Sequence, residues 1–379
     1  MRLTLVISSL GRGGAERVLS ILAGAWAEQG HQVTLLSFDH GEAPAYSLHP
    51  SVARRSLGLL ARSRGFFEGM THNFRRLRVL RRAILETHPA LVVSFIDTVN
   101  VLTLLATRGM GIPVIISERI DPSRYDIGKT WSLLRWLAYP YADALVCQTE
   151  AAAARFRSLT QVRSLAIPNP ISIPTAVMSR PAGGQSSACR VLMAMGRLVP
   201  QKGFDLLLQA FAAIAQRHPQ WILTIWGEGL LLEQLQAQAR FLGLEQRVQF
   251  AGVTTDPFAK LRGADLFVFS SRFEGFGMAL AEAMACGLPV VSFDCPEGPA
   301  VIIRNGVDGV LVPAEDVDAL SVALDRLMSD AQERSRLAAR ASEVLERFSL
   351  DTVLPLWQGL FEQVVPGCHK APAGSEQAP

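Results

Sequence analysis

Ser271-Arg272-Phe273-Glu274-Gly275-Phe276-Gly277-Met278-Ala279-Leu280-Ala281-Glu282-Ala283-Met284-Ala285-Cys286-Gly287-Leu288-Pro289-Val290-Val291 follows directly on one apolar run, 265–270, and runs into a second, 289–293. The first run predicts a strand ending in a loop that bears Glu274. Glycines follow, and a helix begins near Gly277 with Glu282 in its early turns. Strand, glycine turn, helix and strand make one β-α-β unit, the building block of a parallel sheet. Main-chain N–H groups at such a helix start, beside glycines that let a ligand come close, form a place for a phosphate. Glu274 stands in front of that place. Glu282 sits among Ala, Met and Leu, where an unpaired carboxylate is expensive unless some group hydrogen-bonds to it. The same spacing also fits an ordinary helix whose early acid complements the dipole and whose Glu282 faces water.

Outward from this unit the pattern repeats. Apolar runs at 3–9, 32–38, 90–96, 113–117 and 143–149 alternate with amphipathic stretches, and a second series runs 190–195, 221–226, 247–251, 265–270 and 289–293. Each series opens with a strand that ends in a glycine-containing turn, Ser9-Leu10-Gly11 and then Met195-Gly196-Arg197. The expected fold class is therefore α/β, with two Rossmann-like doubly wound domains facing a cleft, since ligands of such sheets sit at the carboxyl ends of the strands. Residues 174–189, rich in Pro, Gly, Ala and Ser, read as a linker. The expected domains are 1–173 and 190–348. A helix at 349–365 is expected to return to the first domain, and 366–379 is a flexible tail.

Composition narrows the function. The 379 residues are 49% hydrophobic and 19% charged, the balance of a globular chain, and a length prior suggests two domains. A net charge of +3 is too mild for a dedicated nucleic-acid binder. Cys147, Cys189, Cys286, Cys295 and Cys368 form no C-x-x-C pair and are odd in number, which signals neither zinc nor a disulfide framework and fits a reducing cytoplasm. Residues 1–7 are too short for a signal-peptide core, and no apolar run is long enough to cross a bilayer, so any membrane contact is expected to be peripheral.

The segment 271–291 closely resembles the E-x7-E region of the retaining glycosyltransferase family four, the group 1 enzymes of GT-B architecture. Here it spans Glu274 to Glu282 and the following A-C-G-L-P-V-V. The resemblance implies that Glu274 lies by the transferred sugar and that Glu282 binds the ribose hydroxyls. Gly196-Arg197-Leu198-Val199-Pro200-Gln201-Lys202-Gly203 resembles the family's G-R-L-x-x-x-K-G motif, whose Arg and Lys hold the diphosphate. Two positioned cations stabilise charge on a leaving nucleoside diphosphate where it develops. Leu10-Gly11-Arg12-Gly13-Gly14-Ala15-Glu16-Arg17 is a near miss to G-x-G-x-x-G and resembles the G-G-A-E-R element, which implies Gly13 and Gly14 at the donor diphosphate. Glu16 and Arg17 then cap and brace the helix. Ile116-Ser117-Glu118-Arg119-Ile120-Asp121-Pro122 resembles an S-E-R-x-D-P variant of relatives that build bacterial surface polysaccharides. Glu118 and Arg119 are candidates for the sugar or acceptor side, and a plain turn in which Asp121-Pro122 caps a helix is the alternative. Gly227, in Trp226-Gly227-Glu228-Gly229, and Val253, in Phe250-Ala251-Gly252-Val253, resemble elements near the nucleotide; Gly275, Phe276 and Gly277 complete the donor set.

The function so implied is a retaining hexosyltransferase that moves a sugar from a nucleotide diphosphate, of the UDP-sugar class, to a glycan or lipid-linked acceptor in polysaccharide or lipopolysaccharide assembly. Glu274, Arg197 and Lys202 are the expected catalytic residues. No cofactor and no metal are expected: no aspartate pair recommends a metal site, and Arg197 and Lys202 stand where a divalent ion's charge would act. A nucleotide-sugar epimerase of the same architecture and a noncatalytic two-domain ligand-binding protein are the alternatives. Between 54 and 82, Arg54, Arg55, Arg62, Arg64, Arg75, Arg76, Arg78, Arg81 and Arg82 face a single acid, Glu68, with Phe66, Phe67, Met70 and Phe74 among them. That mixture suits attachment to an anionic membrane at the inner face of the cytoplasmic membrane. A solvated arginine-rich helix at 74–87 and a nucleic-acid patch are the other readings of it.

Overall fold

The computed structural model describes residues 1–60, 66–119, 127–173 and 189–365, with the side chains of 66–71 left out of the description. The segment 174–188, the tail 366–379 and the Ile120-Asp121-Pro122 turn lie outside the described residues. Two units emerge, one from the chain up to Arg119 with Ile127–Ile167 and the residues from Val353 onward, the other from Pro168–Thr352.

The first unit is built on β1 (Arg2–Ile7), β2 (Gln32–Ser37), β3 (Ala53–Ser56), β4 (Leu91–Phe95), β5 (Val114–Ser117), β6 (Ala144–Cys147) and β7 (Ser164–Ala166). They form a seven-stranded sheet, all parallel, in the order β3-β2-β1-β4-β5-β6-β7. Its central strands β4, β5 and β6 are buried along their whole length, as strands covered on both faces must be. One covering cluster joins Leu80 and Ile84 of α2 (Phe66–Thr87), Val99 and Leu102 of α3 (Asp97–Thr107), Ala138 of α4 (Lys129–Ala138) and Phe156 of α5 (Glu150–Thr160) to Val92, Ile116 and Leu145 of the sheet. Elsewhere α1 (Gly14–Glu28) meets α14 (Leu350–Val364): the Trp26 ring stands edge-on to Trp357 at 5.5 Å and lies 5.2 Å from Phe361, and Trp357 stacks over Phe95 at 6.4 Å.

The second unit is a six-stranded parallel sheet of order β10-β9-β8-β11-β12-β13. Its strands are β8 (Arg190–Met195), β9 (Trp221–Trp226), β10 (Val248–Phe250), β11 (Leu266–Phe269), β12 (Val290–Asp294) and β13 (Val310–Pro313). From β8 the chain steps outward to β9 and β10, then returns to pair β11 on the other side of β8. The strand order reverses there, and in doubly wound sheets ligands enter at that switch point, beyond the carboxyl ends of the strands. Leu207, Leu208 and Phe211 of α6 (Phe204–Ala212) and Leu320, Leu324 and Leu327 of α11 (Val317–Ser329) share one core cluster with Trp221, Leu223 and Val291. A second cluster packs α9 (Met278–Ala285), through Leu280 and Met284, against Phe267, Phe269 and Val290.

Three strands escape the sequence reading: β3, β7 and β13. Each is an edge strand of three or four residues. The β3 sequence Ala-Arg-Arg-Ser has no fully buried residue, because an edge strand beside solvent needs no apolar run.

Trp357 is fully buried between Trp26, Phe361 and Phe95, so removing its indole leaves a large cavity. Trp357→Ala should lower the stability of the first unit by about 3–5 kcal/mol in urea denaturation. A loss below about 1 kcal/mol would show that α14 contributes little to that core.

Candidate functional site

The switch point of the second unit gathers most of the sequence-predicted side chains. β8 and β11 pair side by side, Leu192 with Leu266 and Met193 with Phe267, so the loops leaving them start as neighbours. The loop after β8 turns at Pro200–Lys202 and enters α6 through Gly203, in a left-handed conformation with φ of 60°. A Cβ built on Gly203 would stand 2.0 Å from the Ser270 carbonyl oxygen, so only glycine permits this approach. Around it the loops are laced together. The Ser270 hydroxyl donates to the Lys202 carbonyl at 2.9 Å, the Arg272 amide to the Gln201 carbonyl at 2.8 Å, and the Gln201 side chain to the Phe273 carbonyl at 3.0 Å. The Arg272 guanidinium grips Asp205 with two bonds of 2.8 and 2.7 Å and reaches the Pro200 carbonyl at 2.8 Å and Glu315 at 3.0 Å. Arg272 holds the Asp205 carboxyl below its ordinary range, against the upward push of burial.

The lacing brings Lys202 onto Glu274: Nζ donates to Oε1 at 2.5 Å, with side-chain exposures of 16% and 9%. The ammonium also lies 5.4 Å from the centre of the Phe269 ring. Cys295 is buried next to this pair, and burial, with Glu274 close by, pushes its thiol far above the usual range. Arg197 leaves the same loop exposed, and among the described residues its side chain makes no recorded hydrogen bond or ion pair. Gly275 and Gly277 are buried at the start of α9, with φ of 102° at Gly277. Phe276 turns its ring into the core against Phe348, edge-on at 5.2 Å, so toward a ligand it offers only main chain. Glu282 is buried at 3% exposure in the second turn of α9.

The loops after β9 and β10 join the same rim. The Gly227 amide donates to the Gly252 carbonyl at 2.7 Å, the Gly196 amide to the Trp226 carbonyl at 2.9 Å and the Leu198 amide to the Glu228 carbonyl at 2.8 Å. A Cβ on Gly227 would lie 1.9 Å from the Gly196 carbonyl oxygen. Val253 follows at 40% exposure. Arg272, Asp205 and Gln201 are the residues the sequence reading missed. Arg272 and Gln201 stood inside quoted segments without a role, and nothing local announces the pairing of Arg272 with Asp205 across 67 residues of chain.

In the first unit Gly13 caps α1 and Gly14 is its first residue, past the end of β1. Glu16 folds back on the cap so closely that a Cβ on Gly13 would meet its carboxyl group. That return is the reach of a capping box, and it assigns Glu16 to the helix start. Glu118 and Arg119 follow β5, but Glu118 turns inward: at 2% exposure its carboxyl takes a hydrogen bond from the Tyr139 hydroxyl, while the Gln148 side chain donates to its carbonyl at 2.6 Å. Asn100 stands beside them, donating to the Ser117 carbonyl at 3.0 Å and accepting from the Ser94 hydroxyl at 2.5 Å. Burial first, and then the nearby Asp97 carboxylate, raise Glu118 to about 7. Asp97 itself is raised by burial. Arg119 lies over the Phe95 ring at 4.3 Å, and burial draws its guanidinium below the usual range.

Much of the charge between 54 and 82 is spent inside the first unit. Arg54 pairs with Asp39 at 3.2 Å, Arg55 and Arg82 both hold Glu86, Arg76 donates to the Leu59 carbonyl at 3.0 Å, and Arg81 to the Ala106 carbonyl at 2.7 Å. Arg75 and Arg78 remain exposed; Arg62 and Arg64 lie outside the described residues. Among the described residues no three His, Cys, Asp or Glu side chains cluster as metal ligands.

Residues 12–173 match the family described as Glycosyltransferase Family 4, and residues 180–344 match Glycosyl transferases group 1. An exopolysaccharide phosphotransferase of Streptomyces coelicolor is 33% identical over 77% of this chain, which spans only 30% of that protein's length. The GalNAc-α-(1→4)-GalNAc-α-(1→3)-diNAcBac-PP-undecaprenol α-1,4-N-acetyl-D-galactosaminyltransferase of Campylobacter jejuni is 26% identical over 96% of this chain and 99% of its own. Among solved structures, a Staphylococcus aureus TarM variant in complex with fondaparinux, α-GlcNAc-glycerol and UDP superposes with a TM-score of 0.80. It does so at 14% identity, covering 95% of this chain and 99% of that one.

The inward-facing Glu118 has a measurable consequence. Its folded carboxyl holds a proton up to about pH 7, against an ordinary value of 4.5, so between those values the folded state binds more protons than the unfolded one. The stability this group contributes is full below about pH 4.5 and is lost as pH rises through about 7. Glu118→Gln stays neutral throughout. In urea denaturation from pH 5 to pH 8 the wild type should lose stability relative to the variant, and parallel curves would contradict a buried, proton-holding Glu118.

Proposed function

The chain belongs to the group 1, family four glycosyltransferases of GT-B fold, and we propose that it transfers a sugar from a nucleotide diphosphate, of the UDP-sugar class, to a lipid-linked glycan acceptor with retention of configuration. The Lys202–Glu274 pair at the switch point carries this reading. An ammonium has three donors, and with one of them on Glu274 the others are free to take phosphate oxygens. Arg197, exposed on the same loop, supplies a second cation, and the α9 start beyond Gly277 adds aligned N–H groups. Together they favour negative charge where a nucleoside diphosphate leaves. These two side chains take the place of a divalent ion. Glu282, in the second turn of α9, takes the ribose hydroxyls, and the main chain at Gly227 and Val253 flanks the nucleotide. Gly13 and Gly14 of the first unit serve the diphosphate.

Retention follows most simply by attack from the face the leaving group departs. The acceptor hydroxyl oxygen bonds to the anomeric carbon as the bond to the phosphate oxygen breaks, and the hydroxyl proton passes to that oxygen. Glu274, one oxygen of which takes the Lys202 ammonium at 2.5 Å, orients the sugar. The Campylobacter relative, whose name specifies an undecaprenol-linked glycan, supports this acceptor class and, with it, the reading that the work belongs to polysaccharide or lipopolysaccharide assembly at the inner face of the cytoplasmic membrane.

A panel of nucleotide sugars, read by release of nucleoside diphosphate in the presence of a polyprenyl-linked oligosaccharide, tests the proposal. One UDP-sugar should support turnover that chelator leaves unchanged, and the H1–H2 coupling of the product should show the donor's anomeric configuration retained. Arg197→Ala and Lys202→Met should each lower turnover by about 10²-fold or more. An inverted product, or activity that chelator abolishes and a divalent ion restores, would overturn the mechanism.

A further inference from the structure

α4 carries apolar residues on both of its sides. Trp131, Leu134 and Ala138 face the core of the first unit. On the opposite side, at the spacing i, i+3, i+4, Leu133, Trp136 and Leu137 are 56%, 59% and 49% exposed, and Tyr141 just beyond is 54% exposed. A surface helix ordinarily places polar and charged residues there, and a helix apolar all round is ordinarily covered. Basic charges predominate near this ridge, and Asp143, just beyond it, accepts from the Val114 amide at 2.7 Å. Residues 127–142 contain Lys129 and Arg135 and no acid. The Arg108 guanidinium lies 4.2 Å over the Tyr141 ring, and Arg81 of α2 donates to the Arg108 carbonyl at 3.0 Å. One turn along α2, Arg78 lies 4.2 Å over Phe74, itself 56% exposed, with Arg75 exposed beside it. The ridge therefore continues through a row of cations.

We propose that the outward face of α4, from Leu133 to Tyr141, is a docking surface for an anionic lipid bilayer, with Arg108, Arg78 and Arg75 meeting the headgroups. Tryptophan and tyrosine, apolar in body and polar at the tip, settle at the boundary between headgroups and chains. Cations without interspersed acids complement a negative leaflet. Ten residues cannot cross a bilayer, and among the described residues no helix is long and apolar enough to do so, so α4 lies in the interface plane. The proposal moves the centre of contact from the arginine-rich segment, much of whose charge is spent internally, to an apolar ridge. It rests on the lipid-linked acceptor reading for its purpose, but the vesicle-binding and quenching measurements that test it need neither donor nor acceptor.

The full chain would be sedimented with vesicles of equal parts phosphatidylcholine and phosphatidylglycerol at low and high salt. Wild type should cosediment at low salt and partly release as salt screens the cations. Leu133→Ser with Trp136→Ser and Leu137→Ser should weaken binding by about ten-fold or more, since three exposed apolar side chains lose their burial. Arg75→Glu with Arg78→Glu should weaken it and flatten the salt dependence. Brominated phospholipid should quench wild-type tryptophan fluorescence, and the fold-neutral Trp136→Phe should lose most of that quenching. Nucleoside diphosphate release with a water-soluble acceptor should be unchanged in the triple variant, which separates a failure of docking from a failure of the transfer reading. Equal vesicle binding by the triple variant, or undiminished quenching in Trp136→Phe, would overturn the proposal. So would a dimer in sedimentation velocity that the triple variant abolishes while wild type ignores vesicles, since a second copy would then be the occupant.

Discussion

Gly203 and the Ser270 carbonyl approach each other as only glycine allows, and the chemistry of the second unit follows from that contact. Two adjacent parallel strands deliver two loops to one edge, and close main-chain approach turns them into a single rigid rim. The Arg272–Asp205 grip, with two short bonds and a further reach to the Pro200 carbonyl, fixes the loops from the side. A planar guanidinium against a carboxylate sets both distance and orientation, which a lysine could not do. Lys202 and Glu274 meet as a consequence, without either having to order a mobile loop.

The two units use their carboxylates in opposite ways. Glu274 is paired with an ammonium at the sheet edge, where its charge is offset and its position fixed. Glu118 is turned into the first unit, hydrogen-bonded to Tyr139 and near Asp97, where burial favours its neutral form. A strained backbone accompanies it: Ile96, at the start of α3 and next to Asp97, has a φ of 77°, costly for a β-branched residue. The first acid stands with a cation at the carboxyl ends of the strands, and the second ties the end of β5 to Tyr139, Gln148 and the Val146 carbonyl of β6.

The interior of both sheets was legible because a strand buried on both faces must be continuously apolar, and runs such as 190–195 and 221–226 coincide with β8 and β9 residue for residue. β3 and β7 were illegible for the converse reason: they sit at sheet edges, where in β3 Arg54 and Arg55 can occupy a strand and find acids to hold, whereas β13, Val-Leu-Val-Pro, is apolar but only four residues long. Lys202, Glu274, Gly203 and Gly277 were readable from short motifs that keep their spacing within one loop. Arg272 with Asp205 was not, since a tertiary ion pair leaves no periodic trace in sequence. In the arginines of 54–82, likewise, charge counts do not reveal that Arg76 and Arg81 are committed to main-chain carbonyls. Nor does periodicity distinguish an apolar ridge facing water from one facing the core, which is why α4 became conspicuous only through exposure.

The central claim is that Lys202 and Glu274 form one end of a donor site, with the lysine attracting the diphosphate and the glutamate orienting the sugar. Calorimetric titration of uridine diphosphate into wild type, Lys202→Met and Glu274→Gln separates these roles most directly. Loss of the cation should weaken binding by about ten-fold or more, equivalent to about 1.4 kcal/mol. Glu274→Gln removes a competing anion and should leave binding unchanged or tighter. Binding that ignores Lys202→Met, or that falls equally in both variants, would contradict the account.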